Sequence, residues 1–216
     1  PSLTSLDGLS GLESLDHLTV WENAALTSLD GLSNLELVRG KLTLWDNDAL
    51  TNLDGLSGIE YGLDSLTIYS TDSLASMEGL SNHSGSLDSL SIQRNISLTR
   101  TEMPYLDWIW ETARISNNSS LTSLYLPAIQ RVEVDLEIDG NEALTNLDIH
   151  SLGGVYGSLS IQNNDVLTNF DMHSLRTAGM NPVHVYYSDV TISYNAALTT
   201  LEGLPNLELV GGSLWI

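Results

Sequence analysis

Apolar residues recur along this chain in two interlocked rhythms. In the first, leucines stand three apart, as in Leu26, Leu29 and Leu32, and the trio returns as Leu50, Leu53 and Leu56. The leucine that opens each trio recurs at Leu3, Leu26, Leu50, Leu74, Leu98, Leu121, Leu144, Leu167 and Leu198. These nine copies lie 23 or 24 residues apart, apart from one gap of 31. In the second rhythm an apolar–polar–apolar triplet keeps step: "LTV" at 18–20, "LTL" at 42–44, "LTI" at 66–68, "LSI" at 90–92, "LEI" at 136–138, "LSI" at 159–161 and "VTI" at 190–192, with "LWI" at 214–216. Such alternation is the period of a half-buried strand. Gly40, Gly157 and Gly212 beside the triplets punctuate the turns.

A unit of about 24 residues cannot bury its own apolar face, so neighbouring units must stack into one continuous core. Each unit holds two short strand-like phrases and no helical period. Stacking pairs each phrase with its copy in the next turn. The pattern therefore predicts an all-β, right-handed parallel β-solenoid of about nine turns with 23–24 residues per turn, one domain over residues 1–216. At roughly 4.8 Å per turn the rod is on the order of 40 Å long. A polar column runs beside the leucines: Asn23, Asn47, Asn95, Asn118, Asn141, Asn164 and Asn195, each three residues before the anchor leucine, with Thr71 in the fourth copy. Asparagine tolerates a left-handed corner, and its amide can bond to the same amide one turn away. This column is expected to be structural.

The phrases "NLELVRGKLTLWDNDALTNLDGL" (34–56) and "NLELVGGSLWI" (206–216) resemble the receptor L-domain family. Its members are leucine-rich-repeat-like β-solenoids, found in the ectodomains of insulin and epidermal growth factor receptors and in microbial cell-surface proteins. The likeness covers all nine repeats. Receptor ectodomains flank these domains with cysteine-rich modules, and this chain has no cysteine. The resemblance thus implies a microbial surface protein, extracellular or cell-surface in location, rather than a hormone receptor.

Charge narrows the partners. Against 28 acids stand 7 bases, a net of −21. Such a surface repels phosphate backbones and anionic lipid heads, so neither nucleic acid nor a membrane is an expected partner. It suits cations or basic partners, and it also simply keeps a protein dissolved. Without cysteine, thiolate chemistry and Cys-based zinc sites are excluded. No run of about 18 apolar residues is present to span a bilayer.

Several columns carry candidate chemistry. The position after the leucine trio's second member is acidic in Asp7, Asp30, Asp54, Glu78, Glu102, Asp148, Asp171 and Glu202, with Tyr125 interrupting. Carboxylates one turn apart repel by about 0.9 kcal/mol per pair even at water's dielectric. One reading is turn chemistry, since glycine follows at Gly8, Gly31, Gly55, Gly79 and Gly203; the other is a ladder of calcium or other hard-cation sites. No cofactor is expected unless this ladder takes calcium. Trp21, Trp45 and Tyr69 share a slot in three consecutive turns, a strip able to stack sugar rings or enter a protein interface, or merely to shield the edge of the stack. "LDIH" and "FDMH" in adjacent turns set Asp148, His150, Asp171 and His173 in a two-by-two grid that could hold a metal such as zinc, or form plain His–Asp hydrogen bonds on a solvated face. His184 and Tyr186 are expected to reach over that grid. Threonine ladders at Thr4, Thr27, Thr51, Thr99, Thr122, Thr145, Thr168 and Thr199, and at Thr19, Thr43, Thr67 and Thr191, raise ice binding as a third function. The segments 102–115 and 176–189 break the rhythm, and irregular turns are where solenoids add binding. Of four N-x-S/T matches, Asn95 and Asn118 belong to the corner column, where a glycan does not fit.

No catalytic motif emerges, so a non-enzymatic role is expected: a structural or assembly protein of a cell surface or filament, with a glycan- or protein-recognition module as the alternative. The chain starts on proline within one repeat and stops within another, without capping turns. It is therefore expected to be an excerpt of a longer array, or a protomer that stacks head to tail on copies of itself.

Overall fold

A computed structural model describes residues 3–180 and 187–216. The second phrase of every unit pairs in parallel with its copy in the next turn, giving one nine-stranded sheet along the stack. Its strands are Leu18–Trp21, Lys41–Trp45, Ser65–Tyr69, Ser89–Gln93, Ala113–Ser116, Leu136–Asp139, Leu159–Gln162, Val190–Ser193 and Leu214–Trp215. The register is strict: Val20 lies opposite Leu44, Leu44 opposite Ile68, and Ile68 opposite Ile92. The protein is thus an all-β parallel solenoid of about nine turns.

A second parallel sheet of six strands runs through Ser84–Leu87, Tyr105–Ile109, Arg131–Val132, Gly154–Val155, Thr177–Ala178 and Leu209–Val210. The irregular segment 102–115 is absorbed rather than expelled. Gly85 pairs with Leu106 and Ser86 with Trp108, so one extra residue, Asp107, bulges and the register resumes.

The leucine phrase behaves differently from a strand in the early turns. Asp7–Leu9, Asp30–Leu32, Asp54–Leu56 and Glu78–Leu80 form single 3-10 turns. Only Arg100–Glu102, Ser123–Tyr125 and Asn146–Asp148 pair as a third, three-stranded sheet. Glycine decides between the two. A Cβ at Gly55 would sit 1.9 Å from the Leu29 carbonyl oxygen, so the Asp-Gly step lets two turns approach at a tight bend. Where Met103, Leu126 and Ile149 replace that glycine, the backbone stays extended and pairs.

The core is a single continuous cluster running the length of the stack. Leu26, Leu29 and Leu32 and their counterparts Leu50, Leu53 and Leu56 are fully buried. Each such leucine removed from water contributes about 1.5–3 kcal/mol, which is what the repeat is built to collect.

The asparagine column is buried from Asn47 to Asn164 and half-buried at its ends, Asn23 and Asn195, and its bonding is more extensive than corner chemistry alone. The Asn118 amide donates to the Ile92 carbonyl at 2.9 Å and to Asn141 Oδ1 at 3.2 Å. Its Oδ1 in turn accepts from the Asn95 backbone N–H at 3.0 Å. The pattern repeats through Asn141, Asn164 and Asn195. One expectation is corrected. The left-handed residue is not the asparagine but the one before it: Glu22, Asp46, Ser70, Arg94, Asn117, Asn163 and Tyr194 all have φ between 51° and 57°. That residue turns the chain, and the asparagine that follows is thereby aimed inward along the axis.

Candidate functional site

Three exposed features of the solenoid group chemistry-bearing side chains. The first lies at the end of the nine-stranded sheet. Trp21 pairs with Trp45 and Trp45 with Tyr69, so strict register sets the three rings in line. Ring centroids are 6.1 Å apart at both steps, tilted at the first and edge-on at the second. Trp21 remains 53% exposed and Trp45 42%. The Arg94 guanidinium lies 5.6 Å from the Tyr69 ring and closes the strip. Beyond it the slot turns polar, with Ser116 donating to Gln93 Oε1 at 3.2 Å. The strip is therefore a bounded apolar ridge on a rigid sheet.

The second feature is the Asp–His grid. The third sheet is extended at Asp148, which bridges to Asp171 in the next turn. Ile149 and Met172 point into the core, so Asp148, His150, Asp171 and His173 point out. His150 Nδ1 and Asp148 Oδ1 are 2.6 Å apart, and His173 Nδ1 and Asp171 Oδ1 are 2.8 Å apart. The two imidazoles stack with centroids at 5.6 Å and planes 4° apart. Asp148, His150 and Asp171 offer donor atoms that all lie within 4.8 Å of one another. Burial raises the Asp171 carboxyl, but hydrogen bonds from the His173 ring and backbone N–H and the two nearby imidazoles outweigh it. The net effect holds the group below the usual carboxylate range. His184 and Tyr186 lie outside the described residues.

The acidic column does not converge in the same way. Asp7, Asp30, Asp54 and Glu78 each open a 3-10 turn, and Glu102 closes a strand, separated from Asp148 by Tyr125. Among the described residues no three of these five carboxylates come close enough to share an ion. The backbone N–H of Asp7, Asp54 and Glu78 is held by the side chain two residues earlier, Ser5, Asn52 and Ser76. The threonines also have local work. Thr51, Thr99, Thr122 and Thr145 donate their hydroxyls to the carbonyls of Thr27, Ala75, Thr99 and Thr122 one turn back. The other threonine column is interrupted by an Arg114–Glu137 ion pair at 2.7 Å.

No family model, curated protein or solved structure matches the chain.

The third feature was not legible beforehand. On the six-stranded sheet Arg131 pairs with both Trp108 and Gly154. Its guanidinium is sandwiched, 4.5 Å from the Trp108 ring and 4.8 Å from the Tyr156 ring. Trp108 also packs on Trp110 with centroids 5.2 Å apart. Gly153 and Gly154 leave a notch of about 400 Å³ in the sheet surface, with Arg131 on one side and Arg176 on the other. Only the 23-residue offsets joining Trp108, Arg131 and Gly154 signal it in the sequence, and they are the ordinary period of the repeat.

Proposed function

We propose that this chain is a non-enzymatic extracellular structural protein of a cell surface or filament, allied to the receptor L-domain family, which holds a second copy of itself on the Trp21–Trp45–Tyr69 ridge. The observation that carries the reading is the ridge itself: three aligned rings, two of them about half exposed, on a sheet whose register leaves them no freedom to fold away. Exposed aromatics fixed on a rigid support lose little entropy on docking, and such residues dominate interface energetics. The family alliance is supported by the phrases at 34–56 and 206–216 together with the parallel solenoid.

Glycan recognition is the second reading, favoured by the exposed Trp21 and Trp45 rings, 6.1 Å apart and tilted by 40°, whose apolar faces can take sugar rings. One pair of measurements separates the two. Wild-type protein and a Trp45→Ala variant are compared by light scattering and negative-stain imaging at rising concentration, and on a glycan array. Concentration-dependent assembly that Trp45→Ala abolishes supports the structural reading. Array binding by a monodisperse chain, lost in Trp45→Ala, replaces it with recognition. Assembly or binding that Trp45→Ala leaves unchanged removes the ridge from both.

A further inference from the structure

We propose that Asp148, His150 and Asp171 bind a divalent transition metal of the zinc class, with His173 as the residue that positions Asp171. Donor chemistry comes first. One imidazole nitrogen and two carboxylates suit borderline ions such as zinc, whereas calcium takes oxygen ligands alone. Three protein ligands leave a fourth position for water.

Geometry comes next. Around a tetrahedral ion with bonds of about 2.0–2.1 Å, donors stand about 3.3 Å apart. Here all three lie within 4.8 Å. Rotations that close the remaining gap of at most about 1.5 Å are open to Asp148, His150 and Asp171, whose side chains are 27%, 38% and 52% exposed. Between His150 Nδ1 and Asp148 Oδ1, now 2.6 Å apart, a metal would take the place of the shared proton, and the two atoms would part slightly to receive it.

His173 occupies the second rank. Its Nδ1 bonds Asp171 Oδ1 at 2.8 Å and its backbone N–H donates to the same oxygen at 3.1 Å. A carboxylate tied in that way presents its other oxygen to the ion, and such outer partners tune metal affinity. The surroundings favour a cation. The open depression beside the grid, about 640 Å³, is lined by Asp148, Asp171, His173 and Glu202, with no lysine or arginine among the described lining residues. The twofold repetition of Asp-x-His at a 23-residue offset places both pairs on one surface, and no other group of three such ligands forms among the described residues.

Zinc chloride is titrated by calorimetry into the full 216-residue chain in chelator-stripped buffer, with calcium chloride in parallel. Cobalt(II) is added separately, and its visible absorption reports the coordination number. The expected result is one equivalent of zinc bound, four-coordinate cobalt bands and no comparable calcium binding. His150→Ala and the milder His150→Gln abolish the site, and circular dichroism confirms that each is folded. His173→Ala weakens zinc about 10–100-fold while keeping the cobalt band intensity, the signature of positioning rather than ligation. Asp54→Asn, from the acidic column, leaves the binding unchanged. Equal zinc affinity in wild type and both folded His150 variants overturns the site. Calcium binding as tight as zinc overturns the metal class, and an unaltered His173→Ala overturns the positioning role.

Discussion

At the scale of single residues, His83 stands out, because it fills a slot that Leu35 and Ile59 occupy in the two preceding turns. Its ring is buried, and neither nitrogen has a hydrogen-bond partner among the described residues. Burial therefore carries its pKa down from 6.5 to about 4, and the core holds the neutral ring. The unfolded chain binds a proton at pH values where the native chain does not. Stability is thus unaffected by His83 above pH 6.5 and falls as pH drops from 6.5 towards 4, by on the order of 3 kcal/mol at the lower end. Urea melts at pH 7 and pH 4.5 should show this loss in the wild type, and His83→Leu should remove most of it. An unchanged difference between the two pH values in His83→Leu would place the acid sensitivity elsewhere. The sequence shows a histidine in an apolar column; only the packed stack shows that no polar group comes to meet it.

At the scale of elements, the asparagine ladder has one defective rung. Thr71 donates its backbone N–H to Asn95 Oδ1 at 3.0 Å, but its own hydroxyl is buried without a partner. The Leu44 carbonyl stands where Val20, Ile68 and Ile92 accept from asparagine amides, and threonine has no amide to offer it. Thr71→Asn should complete the rung and stabilise by about 1 kcal/mol. Asn118→Ala should do the reverse: it strips the acceptor from the Asn95 N–H and the donor from the Ile92 carbonyl, both buried, at a cost of about 2–4 kcal/mol. Chemical denaturation of the two variants checks the signs, and a Thr71→Asn variant no more stable than wild type would contradict the ladder account. The column could be read from its spacing. Its left-handed corner could not be assigned correctly, because Glu22, Ser70, Arg94 and Tyr194 share the slot with Asp46, Asn117, Gly140 and Asn163, so residue type alone does not mark it. There the turn is imposed by the bonds of the neighbouring asparagine rather than by local preference.

At the scale of the whole molecule, a net charge of −21 is spread over a stack whose acidic column recurs in every turn but the one that carries Tyr125. Like charges one turn apart repel, and raising ionic strength from about 0.01 M to 0.15 M shortens the screening length from about 30 Å to 8 Å. Sodium chloride should therefore raise the melting temperature, each kcal/mol of relieved repulsion being worth about 2–4 °C for a chain of this size. A melting temperature that is flat or falls with salt would mean that the acids are spaced or paired well enough to escape one another. Exposed pairs such as Arg39–Asp16 and Arg176–Glu208 offset little of this charge, since exposed ion pairs contribute about 0–1 kcal/mol.

The period of leucines and of apolar triplets determined the solenoid, its turn count and its core, because a unit that cannot bury itself has no alternative to stacking on its copy. Register carried the Trp21–Trp45–Tyr69 line and the Asp–His grid along with it, since strict pairing converts equal spacing in sequence into adjacency in space. Tertiary structure alone decided what spacing does not encode. The distance at which one carboxylate meets its neighbour separated Asp148, His150 and Asp171 from the rest of the acidic column. Packing of the six short strands brought Trp108 and Tyr156 against the Arg131 guanidinium. Close approach of the Leu29 carbonyl to Gly55 turned a strand-like phrase into a 3-10 bend. Each depends on an offset of an ångström or two between turns, which the pattern of apolar and polar positions does not record.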